Sequence, residues 1–267
     1  MQHTKDAPRI AFDSSGNTGP KVLLVMGFGM RGHVWKPQIE DLSKDHHVAW
    51  FDNRGIGESA LPERPFHMRD LAQDVLRVAD ALDWQRFHTV GVSLGGMVSQ
   101  ELALMAPRRV QSLTLVATHA GGPLGLAPTA TGLGHWVRAA FGPQAGRVQA
   151  LTQLLYTRTF LDSIDPVQLR ERMHAHVGIK PPVRTALMQL LAVMRHDTRR
   201  RLKHVSVPTL VVKPESDVLV RPFHSDVLHQ GIPGAELLSV PDAGHGVTFQ
   251  GAQAVNAAIR AHVSRCG

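Results

Sequence analysis

The stretch Arg86-Phe87-His88-Thr89-Val90-Gly91-Val92-Ser93-Leu94-Gly95-Gly96-Met97 constrains this chain more than any other. Its first five residues are rich in strand formers. From Met97 onward, Val98, Leu102, Met105 and Ala106 recur at helical spacing until Pro107 ends the pattern. Gly91-Val92-Ser93-Leu94-Gly95 therefore sits where a strand turns directly into a helix. So sharp a turn leaves no room for side chains two positions either side of its apex, and the two glycines remove them. The apex residue, Ser93, is expected in strained backbone with its hydroxyl clear of the sheet. The N–H of Leu94 opens the helix, where unpaired donors and the helix dipole favour a developing negative charge. The plainer alternative is a glycine-rich turn with a bystander serine. Partners for Ser93 elsewhere in the chain decide between the two.

The rest of the chain keeps one rhythm on either side of this junction. Arg9 to Asp13 reads as a short strand closed by a turn at Ser14–Asn17. Lys21 to Met26 is an unbroken apolar run, as expected of a strand covered on both faces. It ends in the loop Gly27-Phe28-Gly29-Met30. Trp35, Ile39 and Leu42 mark a helix, and Val48 to Phe51 the next strand. The polar loop Asp52–Ser59 follows, with Arg54 placed to pair with a carboxylate. Leu71, Val75, Val78 and Leu82 lay out an amphipathic helix. Val110 to Ala117 is the strand after the Ser93 junction. The pattern resumes with strands at Pro208–Lys213 and Ala235–Val240, and a last helix carries Ala254, Val255, Ala258, Ile259 and His262. Alternating strands and helices predict a mostly parallel sheet with helices on both faces.

Between Gly121 and Lys203 the rhythm breaks. No strand is convincing there, and helical spacing shows at Val148, Leu151, Leu154 and Leu155, then at Leu187, Leu190, Leu191 and Met194. Residues 1–120 and 204–267 are thus expected to form one core, and residues 121–203 a helical cap inserted into it. Roughly 80 residues lie at the low end for a separate core.

Charge sharpens this division. The 267 residues carry a formal net charge of +7. From Pro123 to Lys203 there are 12 Lys or Arg and 4 Asp or Glu, so the whole excess lies in the insertion. Its densest part is Arg199-Arg200-Arg201-Leu202-Lys203. A solvated face is the simplest reading, and attraction of an anionic substrate or lipid surface the sharper one. No aromatic-interleaved basic patch or nucleic-acid motif accompanies the charge, so no nucleic-acid partner is expected. No apolar run approaches the ~20 residues of a membrane helix, and the first residues lack the apolar centre of a signal peptide. The one cysteine, Cys266, excludes an internal disulfide. A cytoplasmic protein is expected.

A serine hydroxyl needs a base, and the base needs a group to hold its tautomer. Sixteen histidines make any one of them uninformative alone. His245 stands apart because it follows a strand in the glycine-bearing loop Pro241-Asp242-Ala243-Gly244-His245-Gly246. The acid is expected between Ser93 and His245, at a strand's carboxyl end. Asp217 meets this in Lys213-Pro214-Glu215-Ser216-Asp217, with Glu215 as its rival and Asp242 as a turn residue. The second oxyanion donor, beside Leu94, is expected from Phe28, because Gly27 and Gly29 let that loop approach the junction. Gly27, Gly29, Met30 and Trp136 are candidate substrate contacts. His46-His47 and His174-Ala175-His176 point their side chains apart and make poor metal sites. No metal or cofactor is expected.

With Ser93, Asp217 and His245 in that chain order, the sequence resembles the α/β-hydrolases over nearly its whole length. Gly27-Phe28-Gly29 is similar to their oxyanion loop, with Met26 where a histidine is usual. Asp52-Asn53-Arg54-Gly55-Ile56-Gly57-Glu58-Ser59 is similar to their D-x-R-G-x-G-x-S loop, and Gly91–Gly96 to their nucleophile elbow. The resemblance implies an α/β-hydrolase fold with a variable cap at residues 121–203. It also implies a cofactor-independent serine hydrolase for a small ester or lactone. Acyl transfer, perhydrolysis or C–C bond hydrolysis by the same residues stay open, as does a non-catalytic binding protein on this fold.

Overall fold

Six apolar runs form the parallel part of one eight-stranded sheet. The computed structural model describes residues 1–122, 128–177 and 180–267. In chain order, β1 (Gln2–His3), β2 (Ala11–Ser15) and β3 (Lys21–Val25) lead through a 3₁₀ turn at Gly32–Trp35 to α1 (Lys36–Leu42). Then come β4 (His47–Phe51), α2 (Met68–Ala81), β5 (Phe87–Val92), α3 (Leu94–Met105) and β6 (Val110–Val116). Five helices follow, α4 (Ala130–Phe141), α5 (Gln144–Leu155), α6 (Arg158–Ser163), α7 (Pro166–Val177) and α8 (Val183–Met194), with a 3₁₀ segment at Arg199–His204. The sheet is completed by β7 (Thr209–Pro214), α9 (Phe223–Gly231) and β8 (Glu236–Val240), and the chain ends in α10 (Val247–Gln250) and α11 (Ala252–Arg265).

The strands lie in the order β1-β2-β4-β3-β5-β6-β7-β8. β1 and β2 pair antiparallel at one edge, and every pairing from β4 to β8 is parallel. The two-residue period of a strand sorts the apolar side chains onto two faces. On β3, Leu23 and Val25 join one core with Leu71, Val75 and Val78 of α2 and Val98 and Leu102 of α3. Val22 and Leu24 join the other, with Leu42 of α1 and Val255, Ile259 and Val263 of α11. At roughly 1.5–3 kcal/mol for each fully buried aliphatic side chain, these two layers dominate the fold.

The sequence reading did not anticipate β1, and the strand it placed first, β2, differs in extent. It runs from Ala11 to Ser15 and takes in two residues expected to form a turn. Antiparallel pairing with β4, from Phe12↔Phe51 to Ser15↔Val48, carries the polar Asp13-Ser14-Ser15 into the sheet edge and overrides their local turn preference. The loop after β4 is rigidly tied. Asp52 accepts the N–H of Gly32 at 2.8 Å and of Glu58 at 3.2 Å. Arg54 grips the fully buried Asp74 of α2 with two bonds of 2.6 and 2.8 Å, the carboxylate pairing the sequence anticipated.

Between β6 and β7 the described residues hold helices and an isolated bridge, Gly121↔Asp197, but no strand. Residues 123–127 lie outside the described residues, and helix α4 begins at Ala130. Leu155, Tyr156 and Met173 form a small apolar cluster of this segment's own. Met188 and Ala192 of α8 instead pack into the core of the sheet. The basic run is partly spoken for. Arg199 binds Asp197 at 2.8 Å, and Arg201 binds Glu101 of α3. No helix among the described residues is long and apolar enough to cross a membrane.

Candidate active site

The junction at Ser93 is built by collisions that only glycine avoids. A Cβ at Gly95 would overlap the Val25 carbonyl oxygen of β3, and one at Gly91 would lie 2.5 Å from Ser99 Oγ of α3. Strand and helix can therefore nearly touch, and Ser93 between them takes φ 55° and ψ −120°. That is a left-handed conformation which a residue with a Cβ adopts at a cost of order 1–3 kcal/mol. Its surroundings hold it there. Ser93 N–H donates to Val116 O at 2.9 Å, and the Thr118 hydroxyl donates to Ser93 O at 2.6 Å. Leu94 begins α3, so its N–H has no acceptor within the helix.

The loop after β3 lies against the serine. A Cβ at Gly27 would stand 3.3 Å from Ser93 Cβ and 3.9 Å from Ser93 Oγ. Asn53 Nδ2 donates to Met26 O at 3.0 Å, Gly29 N–H to Gln189 Oε1 of α8 at 2.9 Å, and Met30 N–H to Gly27 O at 3.5 Å. These bonds use the amides on the far side of Phe28 and leave the Phe28 N–H as the loop's candidate donor. Met30 is half-buried against the second core. Trp136 lies half-buried on α4.

At the carboxyl ends of β7 and β8, Asp217 and His245 come together. His245 Nδ1 lies 2.7 Å from Asp217 Oδ2, with both side chains buried. Asp217 Oδ1 accepts the N–H groups of Leu219 and Val220 at 2.8 and 2.9 Å. A carboxylate so supplied with donors takes a hydrogen from His245 Nδ1, which leaves Nε2 bare as a proton acceptor. The rival Glu215 turns to Lys213, at 3.5 Å, and to the Ser239 hydroxyl. Asp242 occupies a turn at φ 49°. The helical insertion buttresses the histidine loop. Gly246 N–H donates to Leu155 O at 2.7 Å, and a Cβ at Gly244 would lie 2.6 Å from that same oxygen.

His119 lies beside the site, and nothing in its sequence context marks it. It follows Thr118, which holds Ser93, and it lies within electrostatic reach of His245. Its Nδ1 accepts the Gly121 N–H at 2.9 Å. Burial, reinforced by His196, His224 and His245, pushes it down to about 3, so it is neutral near pH 7. Arg172 was likewise missed. It is buried, donates to Val34 O at 2.6 Å and to the Tyr156 hydroxyl at 3.3 Å, and lies 4.8 Å over the Phe249 ring. It ties α7 to segments that follow the Phe28 loop and His245.

His46 and His47 serve packing rather than a site. His46 is buried against Asp45 at 2.8 Å, and His47 stacks edge-on to Trp84. The side chain of His176 is outside the described set. Among the described residues no group of three or more His, Cys, Asp or Glu side chains could hold a metal ion.

Residues 20–252 match the family model of the alpha/beta hydrolase fold. The chain belongs to the α/β-hydrolase family. It is 34% identical over 229 residues to a putative carbamate hydrolase, RutD, of Azorhizobium caulinodans, a match covering 85% of this chain and 84% of that one. A crystal structure of a hydrolase from Pseudomonas aeruginosa superposes with a TM-score of 0.82 at 27% identity, over 98% of this chain and 97% of that one. Est816, described as an N-acyl homoserine lactone degrading enzyme, superposes with a TM-score of 0.76 at 26% identity, over 97% and 99% of the two chains. The α/β-hydrolase fold and the family expected from the motifs are thus both found.

Proposed function

We propose that this protein is a serine hydrolase that cleaves a small carboxylic ester or lactone through an acyl-enzyme. The observation that carries the reading is the buried Asp217–His245 pair at 2.7 Å, which leaves one imidazole nitrogen bare. In this reading Ser93 Oγ attacks the substrate carbonyl carbon while its proton passes to His245 Nε2. The carbonyl oxygen becomes an oxyanion held by the N–H groups of Phe28 and Leu94. The bond to the leaving oxygen breaks, and His245 returns the proton to that oxygen. Water then attacks the acyl-enzyme, again giving a proton to His245, which passes it to Ser93 Oγ as the carboxylic acid leaves. Asp217 keeps the imidazole in its working tautomer throughout. Residues 121–203 act as the cap over this site, and Met30 and Trp136 are the candidate substrate contacts. No cofactor enters any step.

A carbamate is the second reading, favoured by the relative named as a carbamate hydrolase at 34% identity. It presents the same kind of carbonyl carbon, and the same proton from His245 serves a nitrogen leaving group. Turnover of matched p-nitrophenyl esters, lactones and carbamates separates the two. Ser93→Ala is expected to lower turnover of the accepted substrate by ~10³-fold or more with the fold intact. A fluorophosphonate is expected to label Ser93. Near wild-type turnover in pure, folded Ser93→Ala would overturn the serine mechanism.

A further inference from the structure

We infer that Gln189, on α8 of the insertion, is a positioning residue that sets the Phe28 oxyanion donor. The inference rests on the serine-hydrolase reading above. Its starting point is a contact between groups 160 positions apart, the 2.9 Å bond from Gly29 N–H to Gln189 Oε1. Because the loop contributes a donor, the amide's orientation is fixed by the bond itself: oxygen faces the loop. The other end, Gln189 Nε2, is buried and has no partner among the described residues, and the residue is 0% exposed. An apolar side chain would pack α8 here without leaving a buried donor unpaired. The bond to the loop is therefore what the amide contributes at this position.

The loop's side chains are anchored on both faces of the sheet, Phe28 against the first core and Met30 against the second. The amide carrying the Phe28 N–H is bracketed by two fixed points. One is Met26 O, bound by Asn53 at 3.0 Å. The other is Gly29 N–H, bound by Gln189. Gly29 itself has φ +68° and no side chain, so the backbone there turns at little cost once the bond is lost. Met30 N–H adds a long bond to Gly27 O, at 3.5 Å. One fixed point belongs to the sheet core and one to the insertion. Gln189 thus fixes the loop from the insertion side, while Met188 and Ala192 of the same helix pack into the sheet core. α8 also rests on the core through Thr185, which a Cβ at Gly55 would meet at 2.5 Å, and through Arg184, which donates to Glu63 O at 2.5 Å. A purely structural role for Gln189 would resemble those contacts, and the test has to separate the two.

The test compares wild type with Gln189→Met, which keeps length and removes the acceptor. The readouts are kcat and KM on p-nitrophenyl acetate, the rate ratio of that ester to its thiono analogue, and the melting temperature. Thiono sulfur is a poor hydrogen-bond acceptor, so the oxo/thiono ratio reports the oxyanion hole and is blind to simple loosening of α8. Losing a whole oxyanion donor costs about 10²–10³ in kcat, so a misaligned one is expected to cost ~10–100-fold, with KM within about threefold. The oxo/thiono ratio is expected to fall at least about fivefold. Should Gln189→Met fail to fold, Gln189→Asn withdraws the same amide by one methylene and is read the same way. A folded variant with kcat and oxo/thiono ratio within about twofold of wild type overturns the inference. So does a variant with altered kcat and melting temperature but an unchanged ratio. If fluorophosphonate labels Ser93 and Ser93→Ala is inactive, those outcomes remove the role of Gln189 alone. If Ser93 is neither labelled nor required, the serine reading and this inference fall together.

Discussion

Asp217 makes three hydrogen bonds, and their directions decide what a substitution there would do. Its Oδ1 is held by two backbone N–H groups, at 2.8 and 2.9 Å, while Oδ2 faces His245. In Asp217→Asn the amide oxygen would keep the backbone donors, and the amide nitrogen would then face His245 Nδ1. A donor in that place makes Nδ1 an acceptor and moves the imidazole hydrogen to Nε2, where it blocks proton abstraction from Ser93. Asp217→Asn is therefore expected to cost roughly 10²–10⁴ in kcat, the upper figure being the cost of the equivalent change in a serine protease. Glu215 turns instead to Lys213 and Ser239, on a half-exposed surface. Glu215→Gln is expected to stay within about threefold of wild type, a surface change away from the reacting groups. Steady-state kinetics on one ester for both variants checks the pair. An inactive Glu215→Gln beside an active Asp217→Asn would reverse the assignment of the acid.

The elements around the site differ in how tightly their backbones are packed, and glycine substitutions read this directly. Gly95 is where α3 crosses β3, and a Cβ there would strike the Val25 carbonyl oxygen, which is fixed in the sheet. Gly134 sits mid-helix in α4 with nothing within 4 Å of its would-be Cβ. Gly95→Ala is expected to destabilise by ~1–3 kcal/mol or more, the cost of overpacking, and Gly134→Ala to stabilise by up to ~1 kcal/mol through helix propensity. Urea unfolding of both variants checks the signs, and a stabilised Gly95→Ala would mean that strand and helix are looser than they look. The same contrast explains what was legible in the sequence. β3 was readable because burial on both faces writes an unbroken apolar run, and β4 to β7 because strand formers crowd their buried positions. Ser93 and the loop glycines were readable because their constraint is local: neighbours in sequence are the atoms that would collide. Asp217 and His245 could be placed at strand ends, and Asp217 preferred over Glu215, because an acid beyond the carboxyl end of a strand reaches a site where open α/β folds hold ligands. Gln189, Thr118 and Arg172 left no such trace. Their partners lie 160, 25 and 138 positions away, and a single polar residue in a helix or at a strand end looks the same whether it meets water or another loop.

At the scale of the whole molecule, the net charge of +7 matters less for stability than the histidines the fold has buried neutral. Burial pushes His88 and His196 down to about 4 and His119 down to about 3. His33, His47 and His262 shift in the same direction, with burial again the leading cause. An unfolded chain takes up these protons near pH 6.5, and the folded chain resists until near pH 4 or below. Within that window the unfolded state binds more protons, so stability is complete above about pH 6.5 and falls as the pH drops. Each such histidine contributes a slope of up to about 1.4 kcal/mol per pH unit, so the first three alone approach roughly 4. Asp74 works the other way. Its burial raises the carboxyl against the pull of Arg54, so the folded chain gains that proton early and part of the loss is offset. Asp41, held down first by Lys44 and then Arg260, Asp45, held down by Arg260, and Asp197, held down by Arg199, lose their stabilising effect from the usual carboxylate range downward and leave the window clear. With total stabilities of about 5–15 kcal/mol typical of domains, cooperative unfolding is expected on acidification to near pH 5. Urea midpoints at pH 7, 6 and 5 measure the slope. His119→Asn, whose side-chain oxygen can still accept the Gly121 N–H, is expected to flatten it by the share of one proton. A flat stability between pH 7 and 5 would show that these imidazoles are protonated in the folded protein, and that water or a carboxylate reaches them.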